Sequence, residues 1–487
     1  LTSSATSGDV LAEMLTTADF LEPVPLLKNL ARGSNKGGDA KQGTALNQPK
    51  ALPLIDGKGY LYCSGVGGNY ALTPDDSSLD ITSDLVIDVD VTMKSWTPSY
   101  NASFCGKYLS TGDQRSFRFL IRTDGKLQFY FSDAGTAVSL ASSVSTEVVP
   151  FSGGQRGQVR LSFNSSNGIL QYFTSTDKGL TWTQLGNDIA SSKTSVYNSS
   201  ADVYVGSYHH NAELLPEAGI HSVKFYDSVT PSSSSLRFNC DFTATNVRHN
   251  DTKFKCATGQ TVTINQAGND PATIIKKSVL RFDGVNDGLQ GLFGQTITDG
   301  YMFAAFSVLG DGGEAWGRII STNKTGSPDT DASGFIWALR HTLNNDLHYY
   351  YGGFRGPHHD FFDSDRGDYI HEVTTTSDSQ KSKVNDADLK TSSVSTSLEL
   401  QEFNIGAQHQ GLLRYTAIDL EFLALFPASI TDSQADRVRN YINNRNNVFD
   451  LKDGFGHYFY DAQDALVGAI STGSSSWNGR IVGSDNG

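Results

Sequence analysis

Cysteine is scarce in this sequence: 4 residues in 487, namely Cys63, Cys105, Cys240 and Cys256, with no C-x-x-C pair among them. That is too few for a disulfide-stapled scaffold, and a structural zinc site finds no ligand spacing. The four read as buried thiols, with a Cys240–Cys256 bridge as the alternative. Positive charge is also short. Lys and Arg total 38 against 52 Asp and Glu, the formal net charge is -14, and no basic run exceeds a pair. Phosphate backbones and anionic lipid headgroups therefore meet no matching surface, so nucleic-acid partners are not expected. The longest nearly apolar stretch, Tyr301–Leu309, falls far short of the roughly 20 residues of a membrane span, so membrane insertion is not expected either. No basic segment followed by an apolar core opens the sequence, so no export signal is visible in it.

Catalytic motifs are missing as well. There is no G-x-S-x-G elbow, no H-E-x-x-H pair and no glycine-rich phosphate loop, which leaves serine hydrolase, zinc protease and nucleotide chemistry without a starting point. Sandwich glucanases place an acid and a nucleophile about 5.5 Å apart through E-x-D-x-E on one strand. Here only the pairs Asp88/Asp90 and Asp419/Glu421 occur, and they read as solvent-facing carboxylates. The protein is expected not to be an enzyme.

What is abundant is Ser, Thr, Gly, Asn, Asp and aromatic residues, the composition of short strands joined by polar turns. Alternation is clear in Leu85–Met93, where Ile87, Val89, Val91 and Met93 take one face and Asp88, Asp90 and Thr92 the other. Phe117–Phe131 alternates on both sides of Thr123-Asp124-Gly125-Lys126, which reads as a hairpin with a tight two-residue Asp-Gly turn. Further strands read at Val159–Phe163, Ile169–Thr174 and Val203–Val205. Ser175-Thr176-Asp177-Lys178-Gly179-Leu180-Thr181-Trp182 fits the turn pattern S-x-D-x-G-x-T-W, with Asp177 capping turn amides and Trp182 expected to anchor the hairpin in the core.

The second half echoes the first. Tyr60-Leu61-Tyr62-Cys63-Ser64-Gly65-Val66 answers Val279-Leu280-Arg281-Phe282-Asp283-Gly284-Val285, and Val203-Tyr204-Val205-Gly206 answers Phe403-Asn404-Ile405-Gly406. Thr431-Asp432-Ser433-Gln434 opens a short closing helix with Ala435, Val438, Tyr441 and Ile442 at helical spacing. Val10, Leu11, Met14 and Leu15 also fall at helical spacing. The expected organisation is an N-terminal helical arm over 1–54, a sandwich over 55–230, a connector over 231–275 with weak strand signals, a second sandwich over 276–448 and an aromatic, then Gly/Ser-rich tail over 449–487.

Leu280-Arg281-Phe282-Asp283-Gly284-Val285-Asn286-Asp287 resembles the opening strand of laminin-G-like, concanavalin A-type domains, and Ile418–Phe426 with the following helix resembles their close. The resemblance implies an all-β fold of two concanavalin A-like jelly-roll sandwiches in tandem. It implies little about function, because such sandwiches host lectins, glucanases and adhesion modules alike.

The densest polar-aromatic cluster is Tyr349, Tyr350, Tyr351, Phe354, Arg355, His358 and His359, placed at a strand-to-loop junction. Aromatic faces stack on sugars while Arg and His supply directed hydrogen bonds, so this cluster is the candidate ligand site. A packed loop at a subunit contact is its alternative. Asp363, Asp365 and Asp368 could ligate calcium through hard oxygens, the one cofactor the sequence suggests. Arg366-Gly367-Asp368 and the sequons at Asn101, Asn164, Asn198, Asn250 and Asn323 are too short to decide anything.

The whole resembles, in architecture, bacteriophage virion proteins that decorate a head or tail and contact a host. The expected partners are other virion proteins through the N-terminal arm, a host-surface glycan or protein, and further copies of the chain. The expected place is the virion surface, or the extracellular space in the two rival readings, a secreted polysaccharide-active enzyme and a cell-surface adhesion module.

Overall fold

The computed structural model describes residues 9–13, 20, 26–27, 40–44, 48–268, 270–309, 316–327, 334–340, 346–351, 354–360, 368–375, 379–384, 389–393, 398–408, 414–426, 431–444, 457–460, 466–470 and 480–481. Strands dominate, and they group into four blocks along the chain. The first holds β1 (Asp9–Glu13), β2 (Leu26–Leu27), β3 (Ala40–Lys41) and β4 (Lys50–Leu52). The second runs through β5 (Tyr60–Cys63), β6 (Tyr70–Thr73), β7 (Leu85–Met93), β8 (Ala102–Leu109), β9 (Gln114–Ile121), β10 (Lys126–Ser132), β11 (Leu140–Val148), β12 (Arg156–Asn164), β13 (Ile169–Ser175), β14 (Thr183–Gln184), β15 (Ile189–Ala190), β16 (Val203–Val205) and β17 (Ala218–Tyr226). The third is β18 (Leu236–Asp241), β19 (Lys253–Lys255), β20 (Thr261–Asn265) and β21 (Thr273–Ile275). The fourth comprises β22 (Val279–Asp283), β23 (Leu289–Ile297), β24 (Gly300–Val308), β25 (Trp316–Asn323), β26 (Phe335–Arg340), β27 (Asp346–Tyr351), β28 (Phe354–Asp360), β29 (Asp368–Thr375), β30 (Ser379–Val384), β31 (Lys390–Ser393), β32 (Leu400–Ile405) and β33 (Ala417–Phe426), closed by α1 (Asp432–Asn444). In the tail, β34 (His457–Tyr460), β35 (Leu466–Ile470) and β36 (Arg480–Ile481) form a small sheet of their own.

Two antiparallel sandwiches result, as the two-repeat reading requires. In the first, the sheet ordered β14-β13-β12-β7-β17-β5-β21 faces the sheet ordered β11-β10-β9-β8-β16-β6-β20-β19. Ile87, Val89 and Val91 from one and Phe104, Phe119 and Phe129 from the other lie fully buried in one core. The second sandwich repeats both orders, as β31-β30-β29-β24-β33-β22-β4 and β28-β27-β26-β25-β32-β23-β3-β2. The correspondence reaches single residues. A bulge in β17 follows Ile220, and its counterpart in β33 follows Leu420, which leaves His221 and Glu421 as the extra, buried residues.

Three expectations are corrected. The segment around Val10 is not a helix: β1 pairs with β33, Asp9 facing Leu425 and Val10 facing Ala424, with a bulge before Ala12. So short an apolar run carries no decisive period, and the free edge of β33 settles it. Residues 231–275 are no connector. β18 pairs with β17, β20 with β6 and β21 with β5, so these strands complete the first sandwich; at three to six residues each, their alternation was too brief to read. The Phe117–Phe131 hairpin exists, but its loop has three residues. Arg122 donates its N–H to the Lys126 carbonyl at 2.9 Å, and Gly125, at φ 77°, donates to the Arg122 carbonyl.

All four cysteines are free and buried. Helix α1 starts where expected, the Ala435 amide donating to the Thr431 carbonyl at 2.9 Å. Ala435, Val438 and Ile442 pack on Phe303, Ala305, Phe422 and Ala424. In the first sandwich the register positions of Phe303 and Ala305 are held by Asp88 and Asp90. Those carboxylates are not free in solvent. Arg160 grips Asp88 through two hydrogen bonds of 2.6 and 2.7 Å, and Arg156 grips Asp90 at 2.9 and 2.7 Å. Nor is Asp419 solvent-facing: it forms a two-point pair with Arg281 at 2.8 and 2.7 Å, side chains 0% and 1% exposed, and Glu421 is buried too.

Candidate functional site

The cluster singled out in the sequence occupies β27 and β28, a hairpin at one edge of the second sandwich, so Phe354–His359 is strand rather than loop. Tyr350 pairs with Ile336 on one side and Arg355 on the other; His348 pairs with His358 and Leu347 with His359. Tyr349 faces Trp337, and Tyr351 lies between Phe335 and Phe354. Asp363 and Asp365 lie outside the described residues, while Asp368 opens β29 opposite Ser307. Among the described residues no three His, Cys, Asp or Glu side chains gather as a metal site.

The first sandwich shows what the corresponding row of positions can build. Tyr130 on β10 pairs with Arg118 on β9, Arg118 with Gly106 on β8, Gly106 with Tyr204 on β16, and Tyr204 with Leu72 on β6. These are the positions off the core parity: Phe117, Phe119, Phe129 and Phe131 point inward and are buried. In the second sandwich the same row reads Tyr350, Ile336, Ser321, Asn404, Gln290. Tyr350 therefore stands in the place of Tyr130, and Ile336 in that of Arg118.

On this outer face the Arg118 guanidinium sits over three tyrosine rings, 4.1 Å from the centroid of Tyr130, 4.5 Å from Tyr208 and 5.4 Å from Tyr108. Glu213 closes the cage with an ion pair at 3.2 Å, and is itself held by the Ser103 hydroxyl. Contacts of this kind contribute about 0.5–2 kcal/mol each according to how dry they are. Gly106 makes the cage possible: a β-carbon there would meet Tyr208 Cβ at 2.7 Å. The loop that returns from β16 to β17 carries Tyr208, His209, His210 and Glu213 across the face, pinned where the Ser103 amide donates to the Glu213 carbonyl at 2.8 Å. Leu214 packs there with Tyr70 and Tyr204.

Next to the cage the His209 and His210 rings meet edge to face at 4.3 Å, and the Tyr70 hydroxyl lies 3.3 Å from His210 Nδ1. Burial, then the adjacent His210, hold the His209 imidazole below its usual pKa, so at neutral pH it offers both a donor and an acceptor. Burial and then Asp202 push Tyr204 up to about 12. Tyr130, Tyr208 and His209 stay half-exposed and His210 is exposed. The result is a ledge of fixed aromatic rings bordered by a guanidinium, a carboxylate and two imidazoles. Sequence reading missed it because Tyr208 and Glu213 come from a loop whose path no period reveals, although parity alone marks Arg118 and Tyr130 as outward.

The opposite sheet carries a different device. Asp177 accepts from the Thr181 amide and hydroxyl and from Ser175, which holds its carboxyl down at about 2, so the turn caps itself as expected. Trp182 does not enter the core. It is half-buried on the surface, with the Arg160 guanidinium 3.9 Å from the indole centroid.

No protein-family profile matches the chain, and no curated protein does. Solved structures of similar form include mouse laminin alpha1 chain domains LG4-5, at 11% identity over 77% of this chain and 90% of that one, with a TM-score of 0.27. A heptameric SAP-like pentraxin from Limulus polyphemus follows at 9% identity, 37% and 80% coverage and a TM-score of 0.27. The CBM40 of Ruminococcus gnavus IT-sialidase, bound to alpha2,3 sialyllactose, has 12% identity, 35% and 97% coverage and a TM-score of 0.25. The likeness is of β-sandwich form and carries nothing on ligand or activity.

Proposed function

We propose that this is a non-enzymatic binding protein whose first sandwich takes a carbohydrate on the Tyr130–Arg118–Tyr208 ledge. The observation that carries the reading is the cage itself. Rings immobilised around a guanidinium lose little freedom when a ligand arrives, so a sugar's apolar face can stack on them at small entropic cost. Arg118, Glu213 and His209 then supply the directed hydrogen bonds that distinguish one hydroxyl pattern from another. The absence of a hydrolytic role is supported by Asp88 and Asp90, the carboxylates spaced two apart on one strand of this sandwich, which are both committed to arginines. Binding of the protein to a glycan array is the test, with Tyr130→Ala and Tyr208→Ala expected to weaken the strongest signals about tenfold or more, the loss of one stacking contact. An array with no signal, or equal signals from the variants, sinks the reading.

The tandem sandwiches suit display on a phage particle for host contact, with Tyr350 and Arg355 as a second contact point on the equivalent hairpin. Antibody labelling of purified particles tests that placement; particles without label exclude it.

A further inference from the structure

The four-strand block β1–β4 and the block β18–β21 are equivalents, since β1 lies on β33 as β18 lies on β17, β3 on β23 as β20 on β6, and β4 beside β22 as β21 beside β5. Block β18–β21 completes the sandwich it follows in sequence. Block β1–β4 cannot do the same for the sandwich it precedes, because β18–β21 already fill those places. It completes the second sandwich instead, joining residues hundreds of positions away: Lys41 faces Gln290, and the Gln42 side-chain amide donates to the Gly288 carbonyl at 3.1 Å. A second sandwich with identical edges exists on every other copy of this chain.

The segment that leads out of the block is a tight turn. Ile55 and Lys58 exchange backbone hydrogen bonds of 3.2 and 2.9 Å around Asp56 at φ 52° and Gly57 at φ 65°. Asp56-Gly57 suits a tight two-residue turn of this kind, and this turn is the connection that must open for the block to leave. We propose that residues 9–52 exchange between copies, so that the chain assembles through swapped β1–β4 blocks. Every strand pairing is kept in the exchange, and the only conformational change is at this turn.

Full-length chains carrying either Lys41→Cys or Gln290→Cys, co-expressed and mildly oxidised, test this directly. Residues directly opposite in an antiparallel pair lie within disulfide reach, and Gln290 is exposed. The expected result is a disulfide-linked dimer whose peptide map joins positions 41 and 290 across two chains. Gly57→Val, which disfavours the turn but meets no neighbouring atom at its β-carbon, should raise that dimer about fivefold. A chain carrying both cysteines serves as the control. If it closes its own 41–290 bond while the mixed single-cysteine chains never cross-link, the exchange does not occur. If it does not close either, the strand register on which the exchange rests is wrong, and the proposal falls with it.

Discussion

Phe282 lays its ring against the α-carbon of Gly406, so closely that a β-carbon on that glycine would stand inside the ring's van der Waals envelope. Gly406 sits at φ 79° and its repeat partner Gly206 at φ 80°. There the neighbour is Cys63, whose Sγ would be 2.9 Å from an added β-carbon. Each glycine turns the chain out of its strand and lets the loop return: Thr416 donates to the Gly406 carbonyl as Leu215 donates to that of Gly206. The pairing thus explains why Phe-Asp-Gly in one repeat and Cys-Ser-Gly in the other serve the same purpose. Gly406→Ala combines left-handed strain with overpacking and should cost about 2–4 kcal/mol. Gly206→Ala should cost less, because one sulfur moves more readily than a ring. Chemical denaturation of the two variants checks the order, and an equal or reversed cost contradicts it.

The bulged residue of β17, His221, is enclosed between the Thr92 hydroxyl at 3.2 Å and the Gly59 carbonyl at 3.0 Å. Burial, then the nearby Arg156 guanidinium, bring its pKa down to about 4. The folded protein thus holds a neutral imidazole, whereas the unfolded chain takes up a proton as pH falls below about 6.5. Stability is therefore full above that pH and declines through the window down to about 4, by about 3 kcal/mol from this group. His221→Gln should flatten the slope of stability against pH between 6.5 and 4. A slope unchanged by the substitution would show that other groups set it.

In the second sandwich a buried ion pair, Arg281 with Asp419, bridges β22 and β33. Asp419→Asn takes a two-point carboxylate partner from a buried guanidinium and should destabilise by about 3–5 kcal/mol, whereas the joint change Arg281→Met with Asp419→Leu should cost much less. Their first-sandwich counterparts, Tyr62 and Gly219, carry no charge, so the fold does not require one there. Denaturant midpoints of the single and double variants measure this; a double variant as unstable as the single would mean that the pair holds the strands in a way apolar packing cannot.

Much of this architecture was legible in the sequence. The alternation of Ile87, Val89 and Val91, the Gly206/Gly406 echo and the Thr431 helix start all express local rules of period, turn and cap, and each stands in the structure. What escaped was set by distant partners. Val10 is strand because β33 has an edge to offer, and residues 236–275 belong to the first sandwich because β5, β6 and β17 receive them. The aromatic cluster at Tyr350 falls on a hairpin of strands, β27 and β28, where the sequence pointed to a strand-to-loop junction. The Arg118 cage depends on a loop crossing a sheet, which no spacing announces.

The hairpin between β9 and β10 shows that parity alone could have fixed one more detail. Phe117, Phe119 and Ile121 face the core on one strand, and Leu127, Phe129 and Phe131 on the other. Side chains directly opposite share a face, so Phe119 must pair with Phe129, as it does. That register leaves three residues between Arg122 and Lys126. A two-residue loop pairing Thr123 with Lys126 would slip the strands by one and turn the core rings of one strand outward. Gly125 takes the left-handed position of the three-residue loop, with φ 77°. Gly125→Ala should therefore cost about 1–2 kcal/mol. Deleting Thr123 should cost less, because Asp124-Gly125 then becomes a two-residue turn that keeps Arg122 opposite Lys126 and every core pair in place. Thermal unfolding of the two variants distinguishes them. If the deletion proves the more damaging, the register is being held by the loop and not by the core.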